Sequence, residues 1–95
     1  MQTPPKEILN ESMDKLFENI QQLNMSIYSQ VGFGQRKNII DDVMFLLEIF
    51  DLIISKRYLD AYNKLQFMRD YLFKYFPEPL LQYIRVKGRD AAHWD

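Results

Sequence analysis

Apolar residues recur along this chain at steps of three and four, the spacing that lines one face of a helix. The densest case is the stretch 39–54, Ile-Ile-Asp-Asp-Val-Met-Phe-Leu-Leu-Glu-Ile-Phe-Asp-Leu-Ile-Ile, where twelve of sixteen residues are apolar and the other four are acids. A helix apolar nearly all round needs neighbours on more than one side. The segment is therefore expected as a central helix over 38–55. Asp41, Glu48 and Asp51 fall on one narrow line of that helix, interrupted only by Met44. That line is the strip expected to meet water or a basic group.

The first helix is expected to open at Thr3-Pro4-Pro5, with Thr3 as cap and proline tolerated where a missing N–H costs nothing. Leu9, Met13, Leu16, Ile20, Leu23 and Ile27 then follow at steps of 4, 3, 4, 3 and 4, a heptad seam with leucine at each d position. Phe17 and Tyr28 widen it. The e and g positions carry no charges, so the seam has two readings: packing inside the chain's own bundle, or self-association. Gly32-Phe33-Gly34 is expected to end this helix through the positive-φ conformations glycine allows. Asn38 then reads as the N-cap of the central helix, with Arg36 and Lys37 just outside it.

No glycine or proline marks the end of the central helix, but its pattern stops at Ser55-Lys56-Arg57 and another begins. Residues 56–61, Lys-Arg-Tyr-Leu-Asp-Ala, resemble the tight turn between the antiparallel helices of tetratricopeptide hairpins. The resemblance covers one hairpin and implies an antiparallel pair. A third helix is expected from about Tyr58 to Phe76, with Tyr58, Ala61, Tyr62, Leu65, Met68, Leu72 and Phe76 on its core face. Arg69 lies within that face, so it is expected to find an acid across the hairpin, Glu48 or Asp51, in a buried ion pair. Phe76-Pro77-Glu78-Pro79 stops this helix. Pro79 opens a short fourth helix with Leu80, Leu81 and Ile84, ended by Gly88, and residues 89–95 form a tail holding His93 and Trp94. The pattern as a whole predicts an all-α fold: one domain over 1–95, an antiparallel bundle of three long helices and a short C-terminal one.

Composition adds limits. The chain is 47% hydrophobic and 15% aromatic, with no cysteine and one histidine. Disulfides, thiolate metal sites and cysteine nucleophiles are thereby excluded. No apolar run is long enough for a membrane span, and the N-terminus lacks a signal-peptide pattern. The expectation is a cytoplasmic protein. Net charge is −1, yet residues 1–54 hold eight acids and four bases while residues 55–95 hold five acids and eight bases. Either the two halves attract across the core or the basic half offers a surface to an acidic partner.

Motifs for chemistry are missing. There is no phosphate-cradling glycine loop, and a single histidine supports neither a zinc set nor a catalytic triad. Glu48-x-x-Asp51 is similar to half of the acidic pattern of MazG-type pyrophosphatases, but the upstream Glu-Glu-x-x-Glu is not present. The expected function is consequently a non-enzymatic protein–protein interaction module, such as a small adaptor, inhibitor or assembly subunit, acting without a cofactor or metal. Phe67 and Tyr71, four apart and flanked by Lys64 and Lys74, are the expected contact patch, with Trp94 as a second anchor. The alternative is an accessory protein that binds nucleic acid through Lys56, Arg57, Lys64, Lys74, Arg85, Lys87 and Arg89, interleaved with tyrosines able to stack on bases.

Overall fold

The computed structural model describes residues 6–29 and 32–94, with no account of the side chains of residues 33 and 91–94. The expected cap at Thr3 and the expected Trp94 anchor therefore lie outside what is described. Four α-helices form: α1, Lys6–Met25; α2, Phe33–Ile54; α3, Tyr58–Leu65; and α4, Glu78–Trp94. Two 3-10 segments, Ser26–Tyr28 and Asp70–Tyr75, complete the regular structure, and no strand occurs among the described residues. The fold is all-α, a small bundle in which α1 packs on α2, α2 on α3, α3 on α4 and α4 back on α1.

Leu16 and Ile20 of α1, Leu46 and Ile49 of α2, Leu72 of the second 3-10 segment, and Leu80 and Ile84 of α4 form the fully buried centre. Met13 and Leu23 pack against it. Four of the six seam residues, Met13, Leu16, Ile20 and Leu23, are thus packed within the chain's own bundle. Leu9 borders a groove with Phe50, Ile53 and Leu80, and Ile27 falls in the 3-10 turn beyond the end of the helix. There the Ser26 hydroxyl donates to the Leu23 carbonyl at 2.6 Å, a local bond that competes with continued α-helix.

Helix α2 begins five residues earlier than expected. Gly32 is its N-cap with φ −67° and ψ 160°, so neither glycine of Gly-Phe-Gly uses a positive φ. The Gly32 N–H donates to Gln35 Oε1 at 3.1 Å, the backward half of a capping box, and Asn38, Arg36 and Lys37 all lie inside the helix. Its end is a Schellman turn: the Arg57 N–H donates to the Leu52 carbonyl at 2.8 Å and the Lys56 N–H to that of Ile53 at 3.0 Å. Lys56 takes the left-handed position with φ 60°.

The third and fourth helices exchange their expected lengths. Helix α3 stops at Leu65, after which the Gln66, Phe67 and Met68 N–H groups donate three residues back instead of four. The chain unwinds, turns extended at Arg69 (φ −64°, ψ 139°) and resumes as 3-10 helix. Leu65, Met68, Leu72 and Phe76 remain buried, so the pattern located the core face without the helix that was expected to carry it. Two long-range bonds fasten the unwound stretch: Tyr71 to Asp42, and Asn19 Nδ2 donating to the Tyr75 carbonyl at 2.9 Å. Gly88, expected to end the last helix, is buried inside α4. A Cβ there would lie 2.2 Å from Cβ of Tyr62 and 2.9 Å from the Tyr58 carbonyl oxygen, so this glycine permits the close crossing of α3 and α4.

Candidate functional site

Asp42 is one of two buried polar or charged residues among those described. It stands on the line Asp42, Leu46, Ile49, Ile53, the core face of α2, and its carboxylate accepts a short hydrogen bond from the Tyr71 hydroxyl. Arg69 Nη1 lies 3.7 Å from Asp42 Oδ1 and donates to the Tyr71 hydroxyl oxygen at 3.3 Å. This corrects the expected buried ion pair. Arg69 is mostly exposed, and its acid is Asp42, because the backbone unwinds after Leu65 and delivers Arg69 to the N-terminal half of α2. The hydrogen bond to Asp42, followed by desolvation, raises the Tyr71 pKa above its ordinary value. The hydrogen bond that Arg69 donates to Tyr71, then the charges of Tyr71 and Asp42, raise that of Arg69.

Glu48 instead pairs with Lys64, whose Nζ also sits 4.7 Å from the centre of the Phe45 ring. Asp51 is exposed and makes no ion pair among the described residues. The expected patch of Lys64, Phe67, Tyr71 and Lys74 is dispersed by the same unwinding. Lys64 is engaged inside the molecule, Tyr71 is turned to Asp42, and Lys74 lies over the Tyr75 ring at 5.2 Å. Phe67 stands in the turn, 81% exposed. Several cations of the basic half are committed as well. Arg57 pairs with Asp60 at 2.6 Å, Arg85 lies 5.9 Å from the Phe73 ring, and Lys87 lies 5.8 Å from that of Tyr83.

An uncovered apolar strip lies elsewhere, on α2. Helix α2 is apolar nearly all round, but its neighbours cover only part of its circumference. Ile40, Met44 and Leu47 follow one another at helical spacing on the open side, continued by Ile54 a turn or two further on, and all four are exposed. Across from them on α1 stands Phe17, also exposed, its ring 5.4 Å from that of Phe50. Between the two helices lies a groove of about 200 Å³ lined by Phe17, Ile20, Gln21, Asn24, Val43 and Leu47. Such a volume is below the ~300–1,000 Å³ of small-molecule sites and accepts an inserted side chain. The sequence carried the signal for this face in the excess of apolar residues on α2 over what one core face requires. That excess was read as burial on several sides.

Asp14 and Glu18 project from the outer side of α1, and Asp41 and Glu48 from the far side of α2, with Asp51 on the strip itself; all are exposed. Arg36 and Lys37 stand at the end of the strip nearest the start of α2. A polar groove of about 460 Å³ lies between α4 and α3 with the turn after it, where Gln82, Arg85 and Arg89 of α4 stand opposite Gln66 and Asp70, and the apolar groove at Leu9, Phe50, Ile53 and Leu80 has about the same volume. Among the described residues no group of His, Asp and Glu side chains is arranged to hold a metal ion, and no helix is long and apolar enough to cross a membrane. The chain matches no known protein-family model, no curated protein and no solved structure.

Proposed function

We propose that this chain works as a non-enzymatic helical interaction module that engages another protein through the open face of α1 and α2. The reading is carried by the exposed strip of Ile40, Met44 and Leu47 beside Phe17 and its groove. Contiguous exposed apolar surface of this kind is what interaction sites present before they are covered. The expected contact set moves accordingly, from Lys64, Phe67, Tyr71 and Lys74 to the two-helix face. Phe67 stays as a separate exposed aromatic. The test compares capture of a host protein by the native chain and by the double variant Met44→Glu, Leu47→Glu, with each captured protein purified and rebound. Loss of rebinding with an unchanged helical melt supports the reading. Equal rebinding, or collapse of the variant's melt, contradicts it.

A second reading, binding of nucleic acid, is supported by the polar groove where Arg85 and Arg89 stand four residues apart on α4. A gel-shift assay with mixed DNA and RNA at low salt, where phosphate contacts are strongest, should show a complex that Arg85→Ala with Arg89→Ala removes. Absence of a shift at low salt ends that reading.

A further inference from the structure

We propose that the occupant of the α1–α2 face is a single amphipathic helix with basic margins, supplied by a partner protein. The inference deepens the interaction reading above and rests on it. Shape and charge select this occupant, and area sets the scale of the contact.

The first is shape. The strip from Ile40 to Ile54 follows one helix for fifteen residues, or roughly 21 Å at the helical rise, beside a shallow groove shared with α1. A parallel track between two helices receives a third helix as a row of anchors at i, i+3, i+4 and i+7. The 200 Å³ hollow between Phe17, Gln21, Asn24 and Leu47 takes the central anchor.

The second is area. Phe17, Ile40, Met44, Leu47 and Ile54 are between 39% and 59% exposed. With roughly 200 Å² for a full-size side chain, they expose roughly 450–500 Å² in all. A standard interface between globular proteins buries about 800 Å² on each partner. Somewhat more than half of such an interface is apolar, so the strip carries the apolar area of one whole partner surface, and shape and charge choose its form.

The third is charge. Asp14, Asp41 and Asp51 make no ion pair among the described residues and stand around or on the strip, whereas Glu18 pairs with Lys15 at 3.6 Å, Glu48 pairs with Lys64, and Lys6 and Lys56 line the groove beside Asp14 and Ile54. An isologous dimer would place this same face against itself and bring those acids onto one another. A helix with lysines or arginines on its margins brings the opposite sign to each side. Arg36 and Lys37 mark the end where an acidic residue of the partner would sit.

The probe is a pair of synthetic helical peptides of about 16 residues, sharing one leucine stripe and carrying either lysines or glutamates along its margins. Each is titrated into the full chain by calorimetry at low and at high salt. The lysine peptide should bind at least about tenfold more tightly than its twin, with the gap shrinking as salt screens the margins. Asp41→Lys with Asp51→Lys should reverse the preference. Met44→Ser with Leu47→Ser should abolish binding of both peptides while the circular dichroism spectrum is kept. Equal binding of the two peptides, or a preference that survives the charge reversal, overturns the basic margin and leaves the interaction module standing. Binding of neither peptide, alongside a host partner still lost in Met44→Glu, Leu47→Glu, overturns the helical occupant alone. A concentration-dependent dimer abolished by Met44→Ser with Leu47→Ser gives the face to a second copy and overturns the proposal.

Discussion

Asp42 places a carboxylate on the core side of α2, where Tyr71 and Arg69 reach it from a segment nearly thirty residues away. A hydrogen bond to a charged group is worth about 1.5–3 kcal/mol, and losing one partner leaves the other unsatisfied. Tyr71→Phe should accordingly lower the unfolding free energy by about 1–2 kcal/mol, since Tyr71 is half exposed, whereas Arg69→Ala, at a solvent-screened side chain, should lower it less. Urea midpoints of the two variants check the ranking. A second residue-scale prediction concerns alkaline stability. Burial, then the hydroxyl and charge of Tyr83, push the Tyr58 pKa from 10.0 up to about 12, and the two rings meet edge to face at 5.4 Å. Between those values the unfolded chain binds fewer protons than the folded one, so stability is whole below about pH 10 and declines as pH rises towards 12. The raised pKa of Tyr71 acts in the same direction. Tyr58→Phe should flatten the decline, measured as urea midpoints across that window. Asp42 was legible in the sequence, because 42, 46, 49 and 53 follow steps of 4, 3 and 4. Its partners are not legible, because they come from a break after Leu65 that no residue marks.

At the scale of the elements, two positions join helices under constraint. Lys56 holds a left-handed conformation that costs an L-residue about 1–2 kcal/mol and glycine nothing. Lys56→Gly should stabilise the chain by about 0.5–1 kcal/mol, raising the thermal midpoint by a few degrees. Gly88→Ala should do the reverse. Its Cβ would strike the Tyr62 side chain and the Tyr58 carbonyl, and overpacking of this kind costs about 1–3 kcal/mol, although alanine is the better helix former on intrinsic grounds. A melt that rises in Gly88→Ala would show that the α3–α4 crossing relaxes freely. Gly88 also shows where sequence reading runs short. Gly88 lies in line with Leu81 and Ile84 on the buried side of α4, a spacing that marks packing, yet Arg85 and Lys87 just before it make it look like a stop. The break after Leu65 was not legible at all. Gln66-Phe67-Met68-Arg69 suits a helix, and what holds it open is the long-range pull of Tyr71 on Asp42 and of Asn19 on the Tyr75 carbonyl.

At the scale of the molecule, the all-α bundle, the turn at 55–57 and most of the core followed from the hydrophobic spacing, since Leu16, Ile20, Leu46, Ile49, Leu72 and Ile84 lie where it put them. The candidate surface did not follow, because counting apolar residues on α2 cannot say which of its sides the rest of a short chain will reach. Helix α1, the 3-10 turn after it and α3 pack on α2 and leave Ile40, Met44, Leu47 and Ile54 open to solvent. The uneven charge of the two halves has a related consequence. Only part of it is neutralised across the fold, through Glu48 with Lys64 and Asp42 with Arg69, while Asp41 and Asp51 stand exposed on α2 beside the open face. The most direct measurement is a heteronuclear NMR titration of the full chain with the lysine-margined helical peptide. The account predicts shift changes confined to Phe17, Gln21, Asn24, Ile40, Met44, Leu47 and their neighbours along α1 and α2. Shift changes centred on Phe67, Lys74 or the Arg85–Arg89 groove, with α1 and α2 unmoved, would contradict it.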